Sequence, residues 1–244
     1  MNKKTNQILI IILAAGKGTR MNSDMPKVIH KINDKPMINK VIETARSLAP
    51  KDIIAIVGFK KDEVINTIND KNIIYVEQKE QKGTGHAIIQ CLSHIQKVSG
   101  DVLILSGDVP LITSETLKDF YDFHFKTKAQ ASLISANIED PTGYGRVIKN
   151  KENKLSYIVE HKDASNDEKE INEINSGIYI FNSKTLSDNL LKLTSENAQN
   201  EYYLTQVFDF MDKDSTYVKN INNLNEIMGI NTLEELQIMN KSID

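Results

Sequence analysis

Cysteine is almost missing from these 244 residues. Cys91 stands alone, so no disulfide can form within the chain and no cysteine metal set can be assembled. A lone thiol is read as a small buried hydrophobe, and a reducing cytoplasm is its natural setting. A basic excess is missing too: 30 Lys and Arg against 33 Asp and Glu leave a net charge of −3. That balance argues against a general nucleic-acid binder, so any anionic ligand must be held by local groups. No apolar run approaches the roughly 20 residues of a membrane-spanning helix. Lys3 and Lys4 precede the apolar run Ile8–Leu13 as in a signal peptide. That run is short, however, and Gly16-Lys17-Gly18-Thr19-Arg20 follows where a small-residue cleavage site should lie. A buried strand entering a glycine-rich loop explains it better. Repeats, low-complexity tracts and flexible linkers are also missing, which favours one domain.

What is present is an ordinary globular composition, 40% hydrophobic and 26% charged, with length enough for a substantial core. Ile8–Leu13, Ile53–Val57, Ile73–Val76, Val102–Leu105 and Ala131–Ala136 read as strands. Met37–Leu48, Asp62–Ile68, His86–Ile95 and Glu115–Lys126 carry helical spacing between them. Met37, Val41, Ala45 and Leu48 share a face, and Ser114 is the expected N-cap of the fourth helix. Such alternation predicts an α/β fold, a mostly parallel sheet with helices on both sides. After Asp140-Pro141 the texture changes. Val147–Ile148, Leu155–Val159 and Gly177–Phe181 read as strands joined by polar turns, with Lys162–Glu173 as a charged surface loop with a helical turn. Helices are expected near Lys184–Leu193 and Tyr203–Met211, a strand at Thr216–Val218, and a last helix from Thr232. This later part reads as an antiparallel insertion.

The densest chemistry lies in Leu13-Ala14-Ala15-Gly16-Lys17-Gly18-Thr19-Arg20, followed by Pro26-Lys27. Small residues let a backbone approach a phosphate chain and offer it free N–H groups. Arg20 can grip phosphate with a planar fork, and Lys27 adds a point charge. The loop is not a Walker A motif, because Gly18 rather than Ser or Thr follows Lys17. Nor is it a dinucleotide fingerprint, since Met21 stands where the third glycine belongs. Ser106-Gly107-Asp108-Val109-Pro110 ends another buried strand, and a carboxylate there points to the same crevice, where it can serve Mg²⁺ or simply form a turn.

Together, L-A-A-G-x-G-T-R-M with P-K, then G-T-G-H-A, G-D-V-P, G-Y-G-R, V-E-H-K-D-A and E-I-N-x-G-I resemble one known domain. It is the pyrophosphorylase domain of bacterial N-acetylglucosamine-1-phosphate uridyltransferases, and the likeness runs from about Ile8 to the C-terminus. The resemblance implies a nucleotide-binding α/β sheet (about residues 1–136), a smaller antiparallel sugar-binding portion (about 137–228) and a closing segment (about 229–244). It implies that Leu13, Ala14, Ala15 and Gly16 line the nucleotide, with Gln78, Gly83 and Thr84 at the uracil edge. Arg20 and Lys27 would be catalytic on the triphosphate, and Asp108 and Asn231 would hold Mg²⁺. Ser106, Gly107, Gly145, Glu160 and Asn175 would face the sugar, Ser106 standing where relatives often carry an aromatic residue. By itself Asn231 reads as the N-cap of the last helix. The expected partners are UTP and N-acetylglucosamine 1-phosphate, without nucleic acid or membrane. The family's β-helix acetyltransferase domain has no counterpart in these residues, so acetyl transfer is not expected of them. Readings left open are uridylyl transfer to glucose or galactose 1-phosphate, cytidylyl transfer, and a catalytically silent regulatory domain. His30, His86, His94, His124 and His161 are read as packing or surface residues.

Overall fold

Residues 8–243 are described by a computed structural model of the chain. The first strand, β1 (Ile8–Ala14), is apolar throughout and buried on both faces except at Leu13, as the middle of a parallel sheet requires. Its side chains alternate. Ile8, Ile10, Ile12 and Ala14 enter one core layer, while Leu9 and Ile11 enter the other.

A small hairpin follows, β2 (Lys31–Ile32) and β3 (Lys35–Pro36), then α1 (Met37–Arg46), β4 (Asp52–Val57), α2 (Lys61–Ile68) and β5 (Ile73–Glu77). Next come α3 (Thr84–Ile89), α4 (Leu92–Ile95), β6 (Asp101–Ser106), α5 (Ser114–Thr127) and β7 (Ala131–Asn137). The later part holds β8 (Arg146–Lys149), β9 (Leu155–Val159), α6 (Asn166–Lys169), β10 (Glu173–Asn182), α7 (Ser183–Leu190), β11 (Thr216–Asn220) and α8 (Leu233–Ile243). The sheet runs β11-β7-β10-β6-β1-β4-β5. Helices α1, α2 and α5 bury their apolar stripes on one face, and α3, α4 and α7 on the other. Strands β6, β1, β4 and β5 are mutually parallel.

β10 enters antiparallel between β6 and β7, so it joins the main sheet and also meets the β8–β9 hairpin at Ile174 and Arg146. Its register slips between Asn175 and Tyr179, where Gly177 takes φ +78°. From β1 the chain moves outward to β4 and β5, then returns to the opposite side of β1 as β6. That reversal is a topological switch point, the place where open α/β sheets bind ligands. The glycine-rich loop and Asp108 both leave the sheet there.

Four local expectations need correction. The cap of α5 is Thr113, not Ser114: its hydroxyl accepts the Thr116 N–H at 3.1 Å, and Ser114 is already the first helical residue. The helix expected over His86–Ile95 is two, interrupted where Cys91 takes φ −93° and ψ 3° and puts its side chain fully into the core. Tyr203–Met211 is a 3-10 run, Leu204–Phe210, rather than an α-helix. The last helix is capped by Thr232, not Asn231, because Glu235 N–H donates to Thr232 Oγ1 at 3.1 Å. The Glu235 carboxylate answers by accepting Thr232 N–H at 3.3 Å, a reciprocal capping box. Among the described residues, no helix is long and apolar enough to cross a membrane.

Candidate functional site

The switch point is built from backbone outward. Leu13 of β1 lies beside Ser106 of β6, and the next residue, Gly107, donates its N–H to Leu13 O at 2.9 Å. A side chain at Gly107 would press on Ile38, Val28 and Leu13 O at 3.0–3.1 Å, so glycine lets the two strand ends close up. Asp108 follows at once and is held at the rim. Gly18, with φ +63°, turns the loop after β1 so tightly that a Cβ there would stand 2.5 Å from Lys27 Cβ. That turn brings Lys27 under the loop.

Three chain segments converge on Asp108. The Lys27 ammonium forms an ion pair with Asp108 Oδ2, both side chains being about 15% exposed, and also donates to Asn231 Oδ1 at 3.0 Å. Arg20 Nη2 donates to the same Asn231 oxygen at 2.8 Å. The segment 229–231 is laid along Asp108 by a bond from Ile230 N–H to Asp108 O at 2.9 Å. Asn231 Nδ2 donates to Gly229 O at 2.8 Å, which turns Oδ1 toward the cations. Burial alone would raise the Asp108 carboxyl, but the Lys27 charge and hydrogen bond, with help from Ser106, outweigh it and hold it below the ordinary carboxylate range.

Two clefts meet here. One, of about 290 Å³, is lined by Leu13, Ala14, Ala15, Gly16, Gln78, Gly83 and Thr84, together with Lys27. A Cβ on Gly16 would meet nothing within 4 Å, so the protein itself places no demand for glycine there. The other cleft, of about 440 Å³, is lined by Arg20, Gly145, Glu160, Asn175 and Asn231. Leu13, Thr84, Ser106 and Asp108 belong to both. Gly107 lines neither cleft; its part is packing.

In the larger cleft, burial pushes the Glu160 carboxyl up, partly offset by the hydroxyl of Thr205, which donates to Oε1 at 3.0 Å. Asn175 Nδ2 donates to the buried Tyr179 hydroxyl at 2.6 Å, and Asn175 Oδ1 accepts Gly177 N–H at 3.2 Å. Thr205 and Tyr179 were not foreseen. Thr205 lies 45 residues from Glu160 in a 3-10 run, and no local pattern connects them. Tyr179 sat inside the expected strand Gly177–Phe181 and carried no signal of its own. Glu235 was missed as well, although T-x-x-E is a legible capping signal.

The donor set suits a hard divalent cation. Asp108 Oδ2 and Asn231 Oδ1 converge on one cationic position, which the Lys27 ammonium takes in this structure. Among the described residues no three His, Cys, Asp or Glu side chains gather as a metal site. A metal at Asp108 would therefore take most of its shell from water and ligand oxygens, which is the habit of Mg²⁺. Cations, a carboxylate and exposed loop backbone at the junction fit a polyphosphate in one cleft and a smaller polar ligand in the other.

Comparison with known proteins bears on the family and the fold. The chain is 44% identical over 239 residues to the bifunctional protein GlmU of Clostridium botulinum (strain 657), covering 96% of this chain and 52% of that protein. It is 40% identical over 225 residues to GlmU of Streptococcus pyogenes (serotype M12), covering 91% and 53%. The chain thus spans about half the length of the curated relatives it matches. Among solved structures, a UDP-glucose pyrophosphorylase complexed with UDP-glucose superposes with a TM-score of 0.77 at 18% identity, over 97% of this chain and 98% of that one. HddC from Yersinia pseudotuberculosis gives 0.70 at 19%, over 97% and 99%. At such identity these two speak for the fold alone. The family model described as nucleotidyl transferase matches residues 9–225, from the first strand almost to the Asn231 segment, and the chain belongs to that family.

Proposed function

We propose that the chain joins UTP to N-acetylglucosamine 1-phosphate, forming UDP-N-acetylglucosamine and releasing pyrophosphate. The observation that carries this reading is the meeting of two clefts at Asp108, one floored by the glycine-rich loop and one walled by Glu160 and Asn175. A nucleotide in the first and a sugar phosphate in the second bring their phosphates together beside Arg20 and Lys27. The match of nearly the whole chain to about half of each GlmU protein supports the same substrate pair.

The sugar-phosphate oxygen attacks the α-phosphorus of UTP in line; the bond to the β-phosphate breaks and pyrophosphate leaves. No covalent enzyme intermediate is needed, so the residues position and neutralise. Asp108 and Asn231 would hold Mg²⁺, which supplies neutralisation of phosphate charge when bound. Arg20 and Lys27 give up their bonds to Asn231 and Asp108 in favour of phosphate oxygens. Glu160 and Asn175 offer polar contacts to sugar hydroxyls and the acetamido group. Gly145 keeps that wall clear, since a Cβ there would stand 3.4 Å from Glu160 Oε2. A cytoplasmic setting, where nucleoside triphosphates are made, accords with these substrates.

Pyrophosphate release is the test, measured with UTP and N-acetylglucosamine, glucose and galactose 1-phosphates. N-acetylglucosamine 1-phosphate is expected to lead by at least about 100-fold in kcat/KM, because the others leave buried polar groups unpaired. Equal values would remove the acetamido pocket but keep uridylyl transfer. No release with any pair would remove both.

A further inference from the structure

Behind the smaller cleft lies a layer of polar side chains that the reaction itself does not use. Gln78 follows β5 and is buried, 4% exposed, with its backbone N–H bonded to Val57 O at 2.8 Å. Its side-chain Nε2 stands 3.1 Å from Gly83 O and 3.1 Å from His86 Nδ1. Gly83 O can only accept, which decides that the nitrogen end of the carboxamide faces it. Both amide protons are then engaged. Oε1 has no protein partner among the described residues, and Gln78 lines the cleft. His86 itself does not reach the cleft.

We propose that His86 is a positioning residue for nucleobase selectivity: its unprotonated Nδ1 accepts from Gln78 Nε2 and so keeps Gln78 Oε1 turned to the cleft as a fixed acceptor. This rests on the uridylyl-transfer reading above. A uracil ring presents a donor, N3–H, at the middle of its pairing edge, whereas N3 of cytosine is an acceptor. A fixed acceptor engages the first and repels the second. Without His86, only the bond to Gly83 O holds the carboxamide, and breaking that one bond is enough to turn its nitrogen to the base.

A neutral imidazole accepts at one nitrogen and carries its proton on the other. That other nitrogen, Nε2, lies 3.2 Å from the Gln90 carboxamide, whose Nε2 also donates to His86 O at 3.1 Å. Gln90 is only partly buried and can swing from the ring to solvent, whereas Gln78 is 4% exposed and held by Gly83 O, so the ring proton goes to Nε2 and Nδ1 is left to accept. The ring is held from the far side by Tyr202, with ring centres 6.2 Å apart.

Three proteins test this: wild type, His86→Phe and His86→Asn, each assayed with UTP and with CTP at saturating N-acetylglucosamine 1-phosphate. His86→Phe removes the acceptor, and His86→Asn restores one through Oδ1. Loss of one hydrogen bond predicts that the Phe variant raises the UTP KM about tenfold, leaves kcat within about twofold, and cuts the UTP-to-CTP preference about tenfold. The Asn variant recovers most of that preference. A merely structural role would weaken UTP and CTP alike. The ¹⁵N shifts of His86 in the unliganded protein give a readout independent of turnover, with Nδ1 unprotonated. An unchanged preference in His86→Phe, or a proton on Nδ1, overturns the inference while uridylyl transfer stands. A wild type that does not turn over UTP removes both.

Discussion

Asp108 is the residue on which most of the site depends. It lines both clefts, pairs with Lys27 and anchors the 229–231 segment through its own carbonyl. Asp108→Ala is expected to reduce turnover by several kcal/mol in the transition state, while Asn231→Ala weakens it less and raises the Mg²⁺ requirement. Near-normal activity of Asp108→Ala at low Mg²⁺ would refute the metal assignment. Arg20 and Asp108 were legible one by one, because each lies within six residues of the end of a buried strand, and Lys27 was legible from the Pro26-Lys27 pair that follows the glycine-rich loop. Thr205 was not, because a hydroxyl within a 3-10 run has no signature until folding sets it on Glu160.

Glu160 adds a pH dependence at the same scale. Its native pKa lies above the unfolded value, so the native state keeps the proton longer. The stabilising contribution is whole below the unfolded pKa of about 4.3 and is lost as pH rises through the native one. Glu160→Gln stays neutral throughout, so its melting temperature relative to wild type should climb as pH rises through that window and level off above it. A difference that is flat from acid to neutral pH would contradict the burial argument.

At the scale of elements, two glycines of one loop should behave oppositely. Gly18→Ala places a methyl into Lys27 at φ +63° and should cost about 1 kcal/mol or more of stability as well as turnover. Gly16→Ala meets no protein atom within 4 Å, so it should leave the melting temperature nearly unchanged and raise the KM for UTP. Thermal melts alongside steady-state kinetics separate the two, and a stable, fully active Gly18→Ala would show that the turn is not what seats Lys27. The α8 cap makes a related point. Thr232→Ala should cost about 1 kcal/mol. It should also raise the Mg²⁺ requirement, because Glu235 ties Asn231 N–H into the same capping box at 2.6 Å. A melting temperature and Mg²⁺ titration equal to wild type would separate cap from site. The capping box was readable in Thr232-Leu233-Glu234-Glu235; that it would free the Asn231 side chain for Arg20 and Lys27 was not.

For the whole molecule, strand and helix periodicity in the chain was sufficient to determine an α/β sheet with helices on both faces, since burial on two faces demands apolar runs such as Ile8–Leu13. The glycine-rich opening and the Asp108 motif were equally evident, because their chemistry depends on neighbours within a few residues. What folding alone decided is non-local. β10 could be read as a strand, yet its place between β6 and β7, antiparallel and slipped at Gly177, depends on pairing partners about 80 and about 40 residues away. Arg20 and Asn231 meet across 211 residues, and Glu160 meets Thr205 across 45. Local propensity carries no information about such contacts. They arise because the reversal at β1 leaves one open edge where loops from both halves must gather, and that edge, with its two clefts meeting at a single carboxylate, exists only once the sheet is formed.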